Sequence, residues 1–356
     1  MFSASVCFLH AAKRSKSHFR LTTILCDDII IFKLIATASR RTDYKINPLR
    51  YTTMNDYICV IGGANVDVTC TSYEPILPED SNPGTATTSF GGVGRNVAEN
   101  LARLGQKVVF VSVVGNDQNG KNLLEHAQKL GIDVSNCLVC EKPTCSYVSV
   151  CDNNGELFVA VAATDTMSQL TQEYLQSKLD VINNAKCVVI EANAWQAMSV
   201  TKHITAPVFM DAVSSRKIDK CKNSLYNLRF LKLNHAEAKQ ISGVNVTDES
   251  SALLCTNNPL LKAVQCVCIT CGKKGAYLVE NGKCIFVPSY NVAAVNTSGA
   301  GDSFLSGAVL GFVKGLSAEE SVKLGAACSA LTVQAHGAVS EDMNIENICR
   351  IYGGKL

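Results

Sequence analysis

The residues from Asn296 to Phe304 constrain this chain most, because they join a glycine-rich turn to a long apolar run. Their letters are NTSGAGDSF, and the small and apolar run continues through Val313 to Gly315. Such a run predicts a buried helix that ends at a glycine C-cap. The turn from Gly299 to Gly301 would feed the N-terminus of this helix, where free backbone N–H groups and the helix dipole bind anions such as a phosphoryl group.

Asp302 follows that turn directly, and two roles fit it. A carboxylate beside an anion site lies where a substrate hydroxyl would approach that anion. Aspartate is also favourable in the first turn of a helix and could simply cap it. Spacing alone leaves these two roles about equal, because short motifs match by chance.

Composition excludes several partner classes. A formal net charge of +2 implies no basic face, so we expect neither nucleic acid nor a membrane surface as a partner. No stretch of about 20 apolar residues is free of charges, so a transmembrane helix is not expected. With 356 residues, 47% of them hydrophobic, the chain has ample material for a sizeable core.

The seventeen cysteines are scattered along the chain. Many lie within apolar strand patterns, which favours buried free thiols in a reducing compartment. The pairs Cys137/Cys140 and Cys268/Cys271 have a spacing seen in zinc sites, but neither is followed by a second Cys/His pair at finger spacing. We therefore reject zinc.

Residues 1–54 differ in character from the rest and are expected to be an extension outside the folded domain. Several serines and six basic residues suggest a mitochondrial presequence, namely Lys13, Arg14, Lys16, Arg20, Arg40 and Arg41. Asp27 and Asp28 fit a presequence poorly, and a disordered extension with Met54 as an internal start fits equally well. The expected compartment is the cytoplasm, with the mitochondrion as the alternative if residues 1–54 are a presequence.

The domain expected over residues 55–352 opens with a buried parallel strand at residues 57–63, YICVIGG. Asn65 and Asp67 follow it, at the place where open α/β sheets bind ligands. Standing alone, the pair is a weak signal, because Asn and Asp after a strand are also ordinary turn residues.

A second glycine-rich turn, Gly91-Gly92, opens a helix pattern that runs to Gly105. Glycines let the backbone approach a ligand closely, so this turn is a candidate binding element. Arg95 and Asn96 lie at the start of the same helix and are candidates too. The simpler alternative for Arg95 is a surface salt bridge.

The sequence predicts a small lid formed by two regions, near residues 69–89 and 144–163. The first is polar and contains three prolines, and the second reads as a β-hairpin around the turn letters DNNGE. Together they would make a small antiparallel sheet. Asp165 follows the lid directly and could face the substrate or could be a plain helix N-cap.

Three later strand patterns each end in a polar residue. Glu191, Asp211 and Asn234 hold these positions, and a row of polar strand ends is typical of a binding edge. Glu237 would lie in the first turn of the next helix, where an acid is favourable for the dipole alone. A further strand ends at Thr270, which starts a loop that also contains Gly272 and Gly275.

These motifs, in this order, resemble those of the PfkB (ribokinase-like) family of sugar and nucleoside kinases. The resemblance covers residues 57–350 and implies a ribokinase-like α/β fold. That fold is a three-layer α/β/α sandwich with a central, mostly parallel sheet and a small β-sheet lid. It also implies ATP and Mg²⁺ as cofactors.

The resemblance further implies roles for individual residues. Asp302 would be the catalytic base, and Gly299, Ala300 and Gly301 would form the anion hole. The substrate-binding candidates, which include the strand-end and lid residues above, are Asn65, Asp67, Gly91, Gly92, Arg95, Asn96, Asp165 and Glu191. ATP would be bound by Asn234, Thr270, Gly272 and Gly275, and Asn234 and Glu237 would organise Mg²⁺ through water. The small residues Ala326, Ala327, Ala330, Thr332 and Gly337 would wall the adenine.

Within the family, Arg95 directly before Asn96 resembles the pseudouridine kinase group, as does the stretch DAVS at residues 211–214. This implies phosphorylation of the 5′-hydroxyl of pseudouridine to pseudouridine 5′-phosphate. A ribokinase or a broader nucleoside kinase is the alternative, and a non-catalytic nucleoside-binding sensor is the alternative from another class. A homodimer is a further expectation, and a pseudouridine-phosphate glycosidase is the implied metabolic partner.

One departure concerns monovalent cations. Family members that potassium activates generally carry a carboxylate where this chain has Asn296. We therefore expect activity to depend little on monovalent cations.

Overall fold

A computed structural model describes residues 56–356, and the extension expected over residues 1–54 lies outside the described residues. The strands of the described part are β1 (Ile58–Ile61), β2 (Asn65–Ser72), β3 (Gly84–Gly91), β4 (Val108–Val111), β5 (Val113–Gly115), β6 (Leu138–Cys140), β7 (Ser146–Cys151), β8 (Leu157–Ala163), β9 (Cys187–Glu191), β10 (Val208–Asp211), β11 (Leu228–Asn234), β12 (Cys266–Thr270), β13 (Gly275–Glu280) and β14 (Lys283–Pro288).

The α-helices of the same part are α1 (Val93–Arg103), α2 (Gln118–Lys129), α3 (Gln172–Gln176), α4 (Leu179–Asn183), α5 (Ser215–Cys221), α6 (His235–Ser242), α7 (Glu249–Thr256), α8 (Ala300–Val313), α9 (Ala318–Thr332) and α10 (Ile345–Tyr352). Short 3₁₀ turns connect several of these elements. Among the described residues, no helix is both long and apolar enough to cross a membrane.

The large sheet has eight strands in the order β14-β13-β12-β11-β10-β9-β1-β4. All of its neighbours pair in parallel except β12–β13 and β13–β14, which are antiparallel. Parallel strands buried on both faces read as continuous apolar runs, and the letters ICVI of β1 and VVFV of β4 are of this kind. The expected central, mostly parallel sheet is confirmed.

Helices cover both faces of this sheet, as the alternation of β1 shows. Ile58 and Val60 belong to a buried cluster that includes residues of α1, α2 and α8. Cys59 and Ile61 point the other way, into a second buried cluster with residues of α5, α6 and α7. Successive strand residues face opposite sides, so one strand contributes to two cores. The expected three-layer arrangement is confirmed.

The small sheet has the order β3-β2-β7-β8 and is mixed rather than purely antiparallel. The predicted hairpin is present as β7 and β8, which pair antiparallel. The expectation of an all-antiparallel lid is wrong, because β2 and β7 pair in parallel. The chain leaves this sheet after β3 and returns to it only at β7, and such a long connection permits a parallel pair.

Helix α8 begins earlier than its apolar run suggested. Gly299 is its N-cap with φ +74°, so Ala300, Gly301 and Asp302 form the first helical turn rather than a preceding loop. A Cβ atom on Gly299 would clash with the carbonyl of Ala338. Positive φ and this close approach together require glycine here. The helix ends as predicted, with Gly315 at φ +76° just beyond it.

Candidate active site

The carboxyl ends of adjacent strands build one edge of the site. Glu191 ends β9, Asp211 ends β10 and Asn234 ends β11, and these three strands are neighbours in the sheet. The predicted row of polar strand ends is therefore present. The N-terminus of α8 lies in the same region and adds free backbone N–H groups to it.

Asp302 is buried in the first turn of α8, with 8% of its surface exposed. Its Oδ2 accepts a hydrogen bond from Nδ2 of Asn96 at 2.8 Å. Gly299 is the N-cap of this helix and no side chain caps it, so Asp302 is not the cap, although it does lie in the first turn, where an acid is favourable. The two glycine-rich segments, distant in sequence, thus meet through a carboxylate and a carboxamide.

Burial, together with the nearby charge of Asp211, raises the pKa of Asp302 to about 6. The hydrogen bond from Asn96 and the charges of Lys232 and Arg95 act in the opposite direction. A carboxylate with this pKa is still largely ionised at neutral pH and is a stronger base than an ordinary aspartate. The arrangement can therefore accept a proton from a hydroxyl group.

Asn65 and Asp67 lie on β2, directly beside the second glycine-rich turn. Nδ2 of Asn65 donates to Oδ1 of Asp67. A Cβ atom on Gly91 would clash with the Asp67 carboxylate, and one on Gly92 would lie 2.8 Å from Oδ1 of Asn65. Both glycines are thus required by close approach to these two polar side chains, and the structure brings all four predicted residues together.

Burial also raises the pKa of Asp67 to about 6, against the opposing charge of Arg95 and the hydrogen bond from Asn65. Perturbed carboxylates cluster at functional sites more often than elsewhere. Asp67, which is half-buried on β2, and Asp302, which is buried in the first turn of α8, are therefore both candidates for functional carboxylates.

Arg95 is buried rather than exposed, so the surface salt bridge expected as its alternative is wrong in location. It forms an ion pair with Glu99, with both side chains nearly inaccessible. Its Nη1 donates to the carbonyl of Phe90 at 2.7 Å and to Oδ1 of Asn96 at 2.9 Å. Arg95 thus binds the glycine-rich turn and the carboxamide that contacts Asp302.

Glu191 lies beneath the turn that follows β1. Its carboxylate accepts hydrogen bonds from the backbone N–H of Gly63 at 2.5 Å and from the backbone N–H of Asn193 at 2.8 Å. Burial raises its pKa to about 7, against these hydrogen bonds. Glu191 thus shapes the turn through these hydrogen bonds, and its predicted contact with the substrate stays a prediction.

Asp165 is placed outside this buried group. Its side chain is fully exposed and pairs with Nζ of Lys142 at 3.6 Å. The N-cap alternative is also wrong, because Thr164 holds the N-cap position of the short 3₁₀ helix Asp165–Gln169. The structure therefore does not bring Asp165 into the buried group around Asp302.

A cavity of about 650 Å³ borders the N-terminus of α8. Ligand pockets in proteins are typically about 300–1,000 Å³. Its lining includes the predicted loop residues, the start of α8 and small residues of α9, namely Thr270, Gly272, Gly275, Ala300, Gly301, Ala326 and Ala330. Three of the four residues predicted to bind ATP therefore line one cavity, and Asn234 is not among its lining residues. Ala327 and Thr332, expected to wall it, are buried in the core.

Asn234 and Glu237 form a capping box at the start of α6. Glu237 accepts from the backbone N–H and from Nδ2 of Asn234, both at 2.7 Å. This geometry matches the simpler role of a first-turn helix acid. Burial raises the pKa of Glu237, and the charge of Lys232 opposes that shift.

The side chains of Asn234 and Glu237 fit magnesium only as partners of its water ligands. Among residues 56–356, no group of three or more His, Cys, Asp and Glu side chains is arranged to hold a metal ion. Magnesium usually keeps several waters and binds through substrate phosphates with one or two carboxylates. Asn234 and Glu237 could hold such waters but could not hold the ion alone.

Lys232 is a site residue that sequence analysis missed. Its ammonium donates to Oδ2 of Asp211 at 2.8 Å, and both residues are buried. The signal was present in the letters LRFLKLN of β11, where a lysine interrupts an apolar strand two residues before Asn234. Charged side chains are rarely fully buried unless paired, so such a lysine indicates a partner.

Comparison with known proteins decides the family. The model of the pfkB family of carbohydrate kinases matches residues 55–344. The chain belongs to this family. It is therefore a phosphotransferase that acts on a hydroxyl group, as the resemblance of its motifs implied.

Individual relatives place this pfkB-family kinase among sugar and nucleoside kinases. It is 32% identical to the pseudouridine kinase of Escherichia coli strain K12 over 298 residues, which cover 82% of this chain and 95% of the relative. It is 26% identical to the ribokinase of Haemophilus influenzae over 300 residues, or 81% of this chain and 95% of the relative.

A solved structure confirms the ribokinase-like fold. The Arabidopsis thaliana ribokinase, solved in complex with ribose and ATP, aligns with a TM-score of 0.75 at 24% identity. The alignment covers 85% of this chain and the whole of that one. At this identity the likeness concerns the fold.

Proposed function

We propose that this pfkB-family kinase transfers the γ-phosphoryl group of ATP to the 5′-hydroxyl of pseudouridine and releases pseudouridine 5′-phosphate. The observation that carries the reaction type is the Asn96–Asp302 contact. It joins a carboxylate of raised pKa in the first turn of α8 to the helix that follows the Gly91-Gly92 turn. The substrate identity is supported by the 32% identity to a pseudouridine kinase.

In this proposal, each side of Asp302 binds one substrate. Asn65, Asp67 and Asn96 hold the ribose hydroxyls, with Gly91 and Gly92 leaving room for the sugar. The cavity lined by Thr270, Gly272 and Gly275 holds ATP, and its γ-phosphoryl group meets the backbone N–H groups of Gly299, Ala300 and Gly301. Asp302 lies where the two substrates meet.

The chemical step is an in-line displacement. Asp302 accepts the proton of the 5′-hydroxyl as the O5′–P bond forms, and the bond from the γ-phosphorus to the bridging oxygen breaks, so that ADP leaves. Magnesium bound to ATP would neutralise phosphate charge, with Asn234 and Glu237 holding its water shell. Since phosphoryl transfer has a loose transition state, positioning and charge stabilisation supply most of the catalysis, and a weak base suffices.

One experiment distinguishes the proposed function from two alternatives. A ribokinase or broader nucleoside kinase would use the same ribose contacts, and a nucleoside sensor would bind without turnover. A screen of ATP consumption with pseudouridine, uridine, adenosine and ribose tests all three. We expect the highest kcat/KM with pseudouridine. Preference for ribose or adenosine would favour the broader kinases, and binding without ATP consumption would favour the sensor.

Assembly and compartment are part of the proposal. Strand β8 is an edge of the lid sheet, and its uncharged side chains Leu157, Phe158, Val159 and Val161 are exposed. Because exposed apolar patches mark interaction surfaces and a two-fold axis sets identical edges against each other, we propose a homodimer through β8. Light scattering of the wild type and of Val161→Glu tests it, and a monomeric wild type would contradict it.

We also propose a cytoplasmic location and a pseudouridine-phosphate glycosidase as the enzyme that consumes the product. The cysteines among residues 56–356 are free thiols, which suits a reducing compartment. Imaging the full chain against a chain that starts at Met54 separates the cytoplasm from the mitochondrion. A mitochondrial signal that depends on residues 1–54 would favour the alternative.

A further inference from the structure

A buried ion pair joins the ends of two neighbouring strands of the large sheet. Lys232 on β11 has 6% of its surface exposed, and Asp211 at the end of β10 has 1%. The two residues are partners in the parallel register, and Nζ of Lys232 lies 2.8 Å from Oδ2 of Asp211. Buried ion pairs are often no more stabilising than well-packed apolar residues of similar size. A gain in folding stability therefore does not explain why this ion pair is present.

The ammonium lies against the first turn of α8. A Cβ atom added to Gly301 would lie 2.7 Å from Nζ of Lys232 and 3.4 Å from its Cε. Glycine is thus what allows the helix N-terminus to approach the lysine this closely. The free N–H groups of that turn and the ammonium are then adjacent, and both attract an anion.

The lysine keeps its charge in this position. Burial would lower its pKa, but the charges of Asp211 and Glu237, together with the hydrogen bond to Asp211, outweigh burial and leave the pKa above its ordinary value. Asp302 acts in the same direction. Lys232 is therefore a permanent cation at the meeting point of the strand ends and the anion-binding turn.

Asp211 is itself fixed from the opposite side. Its Oδ1 accepts a hydrogen bond from the backbone N–H of Val213 at 2.8 Å. Val213 has φ +62°, a conformation that a β-branched residue rarely adopts and that is concentrated at functional sites. One carboxylate oxygen is thus held by a strained turn and the other by the ammonium, so the cation has a defined place.

We propose that Lys232 is a catalytic residue whose ammonium contacts the γ-phosphoryl oxygens of ATP during transfer, and that Asp211 positions it. This inference rests on the proposed ATP-dependent phosphoryl transfer. The proton stays on Nζ throughout, and no covalent bond to the lysine forms. A fixed cation in a site shielded from water stabilises developing phosphoryl charge more strongly than a mobile, solvated one.

The deciding variant is the double substitution Lys232→Met with Asp211→Asn. Either single substitution leaves one unpaired partner in the core and can prevent folding, whereas the double variant removes both charges at once. A matched control exists on the same strand. Arg229→Met with Glu280→Gln removes the ion pair that joins β11 to β13 at 2.8 Å, near the opposite end of β11.

Two measurements separate a catalytic role from a structural one. The first is kcat with nucleoside acceptors, for which we expect a loss of about 10²-fold in the double variant and little change in the control. The second is the affinity ratio of a non-hydrolysable ATP analogue over ADP, measured by calorimetry. A contact to the γ-phosphoryl group predicts that this ratio falls by about tenfold or more, while ADP affinity stays near that of the wild type.

The outcomes are distinguishable. A folded double variant that keeps both kcat and the affinity ratio would overturn the role of Lys232. An equal loss of analogue and ADP affinity would also overturn it, because it would indicate a general distortion of the nucleotide cavity. If the wild type phosphorylates none of the nucleosides or ribose, the proposed substrate fails. The affinity ratio still decides whether Lys232 contacts the γ-phosphoryl group.

Discussion

Nδ2 of Asn96 and Oδ2 of Asp302 are 2.8 Å apart and join helices α1 and α8 at their first turns. Nδ2 of Asn96 donates to the carboxylate of Asp302, and Oδ1 of Asn96 accepts a hydrogen bond from Nη1 of Arg95. A substitution of Asn96 or Arg95 should therefore change the position or the charge environment of the Asp302 carboxylate.

Replacing the base should separate binding from turnover. Asp302→Asn removes the proton acceptor but keeps the size of the side chain, so we expect nucleotide affinity near that of the wild type. The value of kcat should fall by about 10²–10⁴-fold, the usual contribution of general acid–base catalysis. Steady-state kinetics and calorimetric ATP titration check this. Asp219→Asn, at a partly exposed carboxylate on α5, is the control, and a near-wild-type rate in Asp302→Asn would remove Asp302 from the mechanism.

The pH dependence of kcat should follow Asp302. Its pKa is raised to about 6, so the carboxylate is ionised above that pH and protonated below it. Only the ionised form accepts a proton, and kcat should therefore fall by about tenfold per pH unit below about 6. Asp67, whose pKa is also about 6, should act through KM, because the proposed function assigns it to the sugar rather than to proton transfer. A kcat that stays constant down to pH 4.5 would contradict the assignment.

Arg95 should affect all acceptors alike. Its guanidinium binds Phe90, Asn96 and Glu99, so it positions residues that every ribose-containing acceptor would use. We expect Arg95→Ala to lower kcat/KM for pseudouridine and for ribose by similar factors. Glu99 retains Arg103 as a partner at 2.8 Å, which should limit the loss of stability. A selective loss for pseudouridine would instead show that Arg95 reads the base.

Asn296 should make the enzyme nearly independent of monovalent cations. Its Nδ2 donates to the carbonyl of His336 at 2.7 Å, and its Oδ1 accepts from the backbone N–H of Ser298 at 2.9 Å. An amide hydrogen thus joins two segments that a cation could otherwise bridge. Asn296→Asp replaces the donor with an oxygen that faces a carbonyl, so the variant should gain activation by potassium. Rates in potassium chloride and in a bulky organic cation at matched ionic strength test both proteins. Strong activation of the wild type would contradict the prediction.

Much of this site was predictable because its parts are local in sequence. The turns around Gly91 and Gly299, and the strand ends at Glu191 and Asp211, are encoded by a few neighbouring residues. Glycine tolerates positive φ and close approach, and short apolar runs bounded by polar residues indicate buried strands. These patterns can be recognised in the sequence without knowledge of the tertiary structure.

The remaining features depend on contacts between distant segments. The Lys232–Asp211 pair exists because β10 and β11 are neighbours in one register, and the burial of Arg95 depends on how α1 packs. The parallel pairing of β2 with β7 likewise follows from the path of the chain between them. Asp165 is a different case, since its place in the sequence suggested a substrate contact, whereas its side chain is exposed and pairs with Lys142.

The most direct test of the account is the identity of the product formed from ATP and pseudouridine. Phosphorus–proton correlation in the NMR spectrum of that product should show phosphorus coupled to the C5′ protons. We expect kcat/KM for pseudouridine to exceed that for uridine and ribose, and product formation to be lost in Asp302→Asn. Phosphate on another hydroxyl, or a product that Asp302→Asn forms at the wild-type rate, would contradict the account.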